Sequence, residues 1–266
     1  MRVLFFAALA VYAAAMVLQF AGAAFRKDGL LKAAWLVFLA GLVVHTAFLA
    51  ARGIAARRLP LSNQFEFASA FAWGVALLLL FLRQKRKADW LASGALPMIV
   101  LILTYAALQP MEIHDLMPAL RSAWFGIHIG SAVFSYAAFV LAGCVGLRYV
   151  LAVRKGADEQ DARLQQMDYL GYRLVAFGFM FLTVVILSGA IWAEQAWSSF
   201  WSWDPKEVWA LITWIQYAVY LHLRLRRKKQ GLGMAWFLVF AVVLVLFTFA
   251  GVNLLWRGAQ YLHTYG

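Results

Sequence analysis

Eight apolar runs, at about 3–24, 33–51, 65–82, 90–108, 123–153, 174–193, 208–223 and 234–256, constrain this chain more than any other feature. Most approach the twenty or so residues that carry a helix, at about 1.5 Å per residue, across a hydrocarbon core of about 30 Å. A transmembrane barrel would instead show segments of about ten residues with alternating polarity, a pattern these runs lack. With 65% hydrophobic and only 14% charged residues, a water-soluble domain of 266 residues has too little interior to hide so much apolar surface. The expectation is an all-α integral membrane protein with eight transmembrane helices, organised as a single polytopic domain over residues 1–266.

The formal net charge of +12 would suggest nucleic acid if it lined one face, but here the cations sit in short clusters between apolar runs. Arg26, Lys27 and Lys32, then Arg83, Lys85, Arg86 and Lys87, then Arg154, Lys155 and Arg163, then Arg224, Arg226, Arg227, Lys228 and Lys229 fall in alternate loops. The positive-inside rule makes those loops cytoplasmic and puts both termini on the outer, periplasmic side, with no nucleic-acid face. Arg52, Arg57 and Arg58 dissent, because they lie in an outer loop. Interfacial snorkelling is the plain account of them, and a cationic site for an anionic ligand group is the functional one. The single cysteine, Cys144, lies inside an apolar run and excludes an internal disulfide or a C-x-x-C pair. The first run lacks a small-x-small cleavage site and reads as a retained helix. The polar stretch 156–172 is long enough for a cytoplasmic amphipathic helix.

Five histidines sort by depth along these runs. The fifth run, about 45 Å long as helix, outreaches the hydrocarbon and leaves His128 at the outer interface. His263 follows the eighth run closely enough to turn back over the same face, and His114 sits in the outer loop 109–121. His45 lies about 18 Å into the second run, and His222 ends the seventh beside Arg224. Two imidazoles that grip one haem iron from opposite faces need similar depth; His128 and His263 meet that condition. His45 and His222 do not, so a haem ligated by His222 would need its second ligand from another chain. For His45 and His114 a hydrogen-bonded structural role is the simpler reading.

The densest feature is the stretch 197–214, which joins the sixth and seventh runs on the outer side and carries Trp197, Trp201, Trp203, Trp209 and Trp214. Tryptophans at a membrane interface ordinarily form an aromatic belt. The residue order asks for more. Asp204 is placed as an N-cap, Pro205 at the first helical position and Glu207 at the third, so a capped helix end faces indoles that suit a flat apolar macrocycle.

The segment WSWDPKEVWALITW at 201–214, followed by Tyr217, Tyr220, Leu221 and His222, resembles the tryptophan-rich WWD signature of haem-handling proteins of cytochrome c biogenesis, and most closely the CcsA/ResC family of system II. Further matching pieces are Pro60, Leu61, Ser62, Asn63 and Glu66; Trp124 to His128 with Ser135 and Tyr136; and Gly251 to Leu255 with His263, Tyr265 and Gly266. Ser199 and Phe200 depart from the pattern, standing where a glycine and another large aromatic are common.

The resemblance implies a multi-pass protein of the bacterial inner membrane that exports haem b and presents it for thioether attachment to an apocytochrome c bearing C-x-x-C-H. It also implies a CcsB/ResB-type membrane partner. His128 and His263 would be the outer iron ligands, His222 the transmembrane one. Trp197, Trp201, Trp203, Asp204, Pro205 and Trp209 would form the haem platform. The chain would act as a synthase subunit by orientation and proximity, and no nucleophile or acid–base pair of its own is visible. A haem chaperone serving a separate ligase, resembling the CcmC-type proteins, and a haem-free scaffold are the alternatives.

Overall fold

The computed structural model describes residues 1–86 and 88–255, all secondary structure there being helical, and the chain divides into two compact units, Met1–Leu116 and Met117–Gly266. The boundary falls in the polar stretch that follows Ala107 and precedes the helix starting at Ala123.

In the first unit α1 (Arg2–Phe25) and α2 (Asp28–Ala56) form a tight antiparallel pair, followed by α3 (Gln64–Arg86) and α4 (Ala92–Ala107). Arg26 and Arg57 end α1 and α2 in the left-handed conformation, with φ of 52° and 51°, and so stop each helix within one residue. Helix α1 packs on α2 and α4, and α3 packs on α4. Phe5, Phe38, Phe48, Phe65 and Phe71 fill the interior at no more than 1% exposure.

The second unit comprises α5 (Ala123–Arg154), α6 (Ala162–Trp197), α7 (Pro205–Leu225), α8 (Leu232–Leu246), a π-helical turn at Phe247–Gly251 and the short α9 (Val252–Leu255). Helix α5 is its axis, packed along α6 on one side and α8 on another. Gly146 makes the second contact possible: a Cβ there would stand 2.6 Å from the Ala235 carbonyl oxygen, so only glycine lets the two backbones approach this closely.

The apolar runs appear as helices nearly end to end, with one extension. The stretch 156–172 does not make a separate amphipathic helix; from Ala162 it is the first part of α6, which is 36 residues long. Asp161 caps its start by accepting a hydrogen bond from Arg163 N (2.7 Å), and Asp168, about two turns further along, is held by Arg224 of α7. These contacts give the polar turns a reason to stay helical that hydropathy does not register.

Among the described residues seven helices are long and apolar enough to cross a membrane, and the chain is a multi-pass membrane protein. The exception among the predicted spans is α7. Its 21 residues suffice in length, at about 32 Å, but Thr213, Gln216, Tyr217, Tyr220 and His222 lower its mean hydropathy. Thr213, Tyr217 and Tyr220 are buried against the rest of the unit.

Candidate functional site

The chemistry-bearing side chains of the second unit collect where α5 begins and α6 ends. Ser122 caps α5, accepting from Trp124 N (3.2 Å) and donating to Gln195 of α6 (2.7 Å), so the two helix ends are tied together. One turn into α5 the half-buried His128 points at α6, where its Nδ1 lies 2.8 Å from the carbonyl oxygen of Val185. A carbonyl can only accept, so Nδ1 carries the proton, and in the neutral imidazole that leaves the lone pair to Nε2. That is the tautomer a metal-ligating imidazole needs, with its far nitrogen oriented by a second partner.

An aromatic wall backs the imidazole. Trp192 lies 5.9 Å from the His128 ring, centroid to centroid, and 5.1 Å from Phe125, and Trp197 meets it edge-on at 4.9 Å. Trp192 is 2% exposed, and its indole N–H donates to the Ala119 carbonyl at 2.7 Å, so its plane is fixed. Sequence reasoning missed Trp192 and Val185, and marked Phe125 only as part of the piece Trp124 to His128. A single tryptophan near the end of an apolar run looks like an interfacial anchor, and no pattern marks a carbonyl.

Beyond Trp197, Ser198 ends α6 with φ 56°, and the chain runs through 199–203 to the capped start of α7. The expected capping is present in full. The Asp204 carboxylate accepts from Lys206 N (2.8 Å) and from the backbone of Glu207, Pro205 occupies the first turn, and Glu207 Oε2 accepts from Asp204 N (3.2 Å) and Ser202 N (2.8 Å). Glu207 therefore pins the loop as well as closing the box. Trp203 is the exposed element of this rigid frame: it is 72% exposed, meets Trp201 edge-on at 5.9 Å, and sits at φ 60°, a left-handed conformation that is strained for so bulky a residue. Trp209 packs against Phe247 of the π-helical turn at 4.4 Å and is further anchored by Thr248, whose hydroxyl lies 3.4 Å from the Trp209 carbonyl. The indoles thus meet at steep angles in separate places, and only Trp203 is offered largely to its surroundings. Lys206, beside the cap, has its ammonium pKa pulled down to about 8 by burial, with the Asp204 carboxylate opposing the shift.

His222 lies at the other end of α7 and is exposed, on one stripe with Ile212, Ile215 and Val219. Close by, Arg224 is paired with Asp168, and Asp168 and Glu159 accept the first backbone N–H groups of α8 from Gly231 and Leu232. His222 and His128 are therefore not brought together. His263, the other predicted outer ligand, lies outside the described residues, as do Tyr265 and Gly266.

In the first unit two of the three dissenting arginines, Arg52 and Arg58, do not snorkel, while Arg57 is exposed. Arg52 is 2% exposed; its Nε donates to Glu66 Oε1 (2.8 Å) and its Nη atoms donate to the carbonyls of Met111 and Glu112. Arg58 donates to Glu66 Oε2 at 2.7 Å, which also accepts from Ser62 N at 2.8 Å. The carboxylate that the motif at 60–66 contributes is fully buried between two guanidinium groups, and the three residues lock the α2–α3 turn to the segment after α4. His45 is 0% exposed and neither ring nitrogen meets a partner at hydrogen-bond geometry, the backbone of Ser69 being the polar group beside it. His114 is exposed in the loop, with its carbonyl 3.5 Å from Arg58 Nη2.

Comparison with known proteins joins these observations. The family described as cytochrome C assembly protein matches residues 61–260, a stretch that opens at the Glu66 lock and contains both His128 and the tryptophan segment. The cytochrome c biogenesis protein CcsA of Parasynechococcus marenigrum (strain WH8102) is 36% identical over 263 residues, covering 87% of this chain and 85% of that protein. CcsA of Pyropia yezoensis is 32% identical over 285 residues, with 90% and 88% covered. CcsA of Prochlorococcus marinus (strain MIT 9303) is 34% identical over 267 residues, with 87% and 83% covered. With a family match across most of its length and relatives of this similarity over most of both chains, the chain belongs to the CcsA family of cytochrome c biogenesis proteins and has its role in cytochrome c maturation.

Proposed function

We propose that this chain is the CcsA-type subunit of a system II holocytochrome c synthase in a bacterial inner membrane, which receives haem b, holds it at the outer face and presents it to an apocytochrome c bearing C-x-x-C-H. The observation that carries this reading is His128: an imidazole anchored on α6 through Nδ1 and backed by Trp192, in the unit that also carries the capped, tryptophan-bearing start of α7. Those features fit haem. An axial imidazole and flat apolar contact are the two things a haem site asks of a protein.

Haem supplies two vinyl groups, across each of which a cysteine thiol of the apocytochrome adds, forming a C–S bond and placing the thiol hydrogen on the other vinyl carbon. This chain's residues bind and orient. His128 and His263 are the proposed axial ligands, and Trp203, held out on a strained backbone with Trp201 edge-on to it, is the proposed stacking surface, with Trp197 and Trp209 as further members of the proposed platform. Asp204, Pro205 and Glu207 keep that surface rigid, which is what proximity catalysis requires. When the apocytochrome offers its own histidine, that ligand replaces one of the pair and the product leaves.

The topology that goes with this reading has eight spans, α7 among them, and both termini outside. An α7 span has its polar side buried and presents Ile212, Ile215, Val219 and His222 outward. An imidazole on such a stripe is costly in lipid, which supports a CcsB/ResB-type partner lying against α7 and supplying the second ligand to a haem at His222. The test is maturation of a reporter apocytochrome in cells lacking their own synthase. His128→Ala and His263→Ala should each abolish holocytochrome while the protein still inserts; normal yield from both variants would refute the assignment.

A further inference from the structure

The contact that fixes His128 has an unusual geometric condition. The carbonyl it binds, that of Val185, belongs to the turn of α6 that Gly189 closes, and a Cβ on Gly189 would stand 2.7 Å from His128 Nδ1 and 2.8 Å from Cε1. No real Cβ tolerates such separations. Neither atom is the far end of a flexible chain: both belong to a ring held by a 2.8 Å hydrogen bond and backed by Trp192, whose own N–H is tied to Ala119. The ring therefore occupies the volume a side chain at 189 would fill.

A glycine inside a long helix costs about 0.5–1 kcal/mol relative to alanine, so its presence needs a local reason. Gly126 and Gly130, one turn or less from His128 on α5, would meet nothing within 4 Å if they carried a Cβ; Gly189 is different in kind.

We propose that Gly189 is a positioning residue for His128: by leaving the notch into which the imidazole seats, it allows the Nδ1–H···O=C bond to Val185 that keeps Nε2 the ligating nitrogen. The inference rests on the haem reading above and adds to it a residue that touches neither haem nor apocytochrome. Adding one methyl group displaces the ring from α6. The ring then loses its orienting acceptor, with the drop of about 10- to 100-fold in metal affinity that losing an outer partner typically brings.

The experiment compares full-length wild type, Gly189→Ala and Gly130→Ala, each purified with its membrane partner, by haem titration and by absorption spectra with and without added imidazole. The expected result is a low-spin spectrum in wild type and Gly130→Ala, about 10- to 100-fold weaker haem retention in Gly189→Ala, and return of its low-spin bands when imidazole is supplied. Equal haem affinity and spectra in all three would overturn the role of Gly189 while leaving the haem site standing. No haem in wild type would instead refute the reading on which it rests. Should Gly189→Ala fail to fold, nitrogen NMR of histidine-labelled, haem-free wild type decides the matter, with the His128 signal assigned by its loss in His128→Gln. A proton on Nδ1 is expected, and a proton on Nε2 would overturn the proposal.

Discussion

The two units differ in how far they close off their chemistry-bearing side chains. In Met1–Leu116 the charged groups close on one another: Glu66 takes both arginines and Arg52 directs its remaining donors to backbone carbonyls, while His45 is shut off by burial alone, at 0% exposure inside aromatic packing. Met117–Gly266 has a closed pair of its own in Asp168 and Arg224, but it also holds two groups that the fold orients without burying. His128 is tied through Nδ1 and remains half-buried, and Trp203 is held by the capped loop and remains 72% exposed. A polar group whose bonding is completed within the fold is a lock. One that is oriented by the fold and left at a surface is equipped to meet a ligand.

The largest effect should come from breaking the lock. Glu66→Ala leaves two guanidinium groups without their buried counter-charge, which costs about 3–5 kcal/mol. Thermal unfolding in detergent should show a midpoint lowered by many degrees, and an unchanged midpoint would remove the contrast between the units. Asp204→Ala, the comparable carboxylate in the second unit, removes a cap and should cost about 1 kcal/mol in the same assay. If the two losses are equal, Asp204 has a structural weight that the cap geometry does not explain.

Smaller still is the loss of stacking. Trp203→Ala should weaken haem retention by about 2- to 10-fold without altering the unfolding midpoint, because the exposed indole supports little else. Unchanged retention would favour the interfacial-belt role for this tryptophan. The smallest effect concerns Lys206, whose pKa of about 8 lies below the ordinary 10.5 because burial disfavours the ammonium. The unfolded chain therefore binds more protons between pH 8 and 10.5, so stability should rise with pH across that window and stay level below it. Lys206→Met should flatten the slope; a slope that survives the substitution belongs to another group.

Much of the helical framework was legible from hydropathy, because a helix in lipid must be apolar along the length that lipid contacts. The runs at 3–24 and 123–153 became Arg2–Phe25 and Ala123–Arg154, and the cap at Asp204, Pro205 and Glu207 followed from local chemistry alone. The start of α6 was hidden, since the turns that carry Asp168 are held by charge pairing with α7 and not by apolarity. For the same reason α7 stands apart from the other spans: its polar residues are paid for by burial within the unit. At the site, His128 and the tryptophan segment could be picked out by type and spacing. Val185, Gly189 and Trp192 could not, because their importance lies in how two helices are rotated against each other, which no run of residues in one helix encodes. The arginines at 52 and 58 were readable as an anomaly, and only the distance of each to Glu66 turned the anomaly into a lock.

The contrast between the two histidines is open to one direct measurement: oxidised and reduced absorption spectra of the detergent-purified protein, comparing wild type with His128→Ala and His45→Leu. A low-spin haem spectrum in wild type that His128→Ala abolishes or converts, and that His45→Leu leaves in place, is the predicted result. A spectrum indifferent to His128, or one lost with His45, would contradict the assignment of the haem site to the second unit.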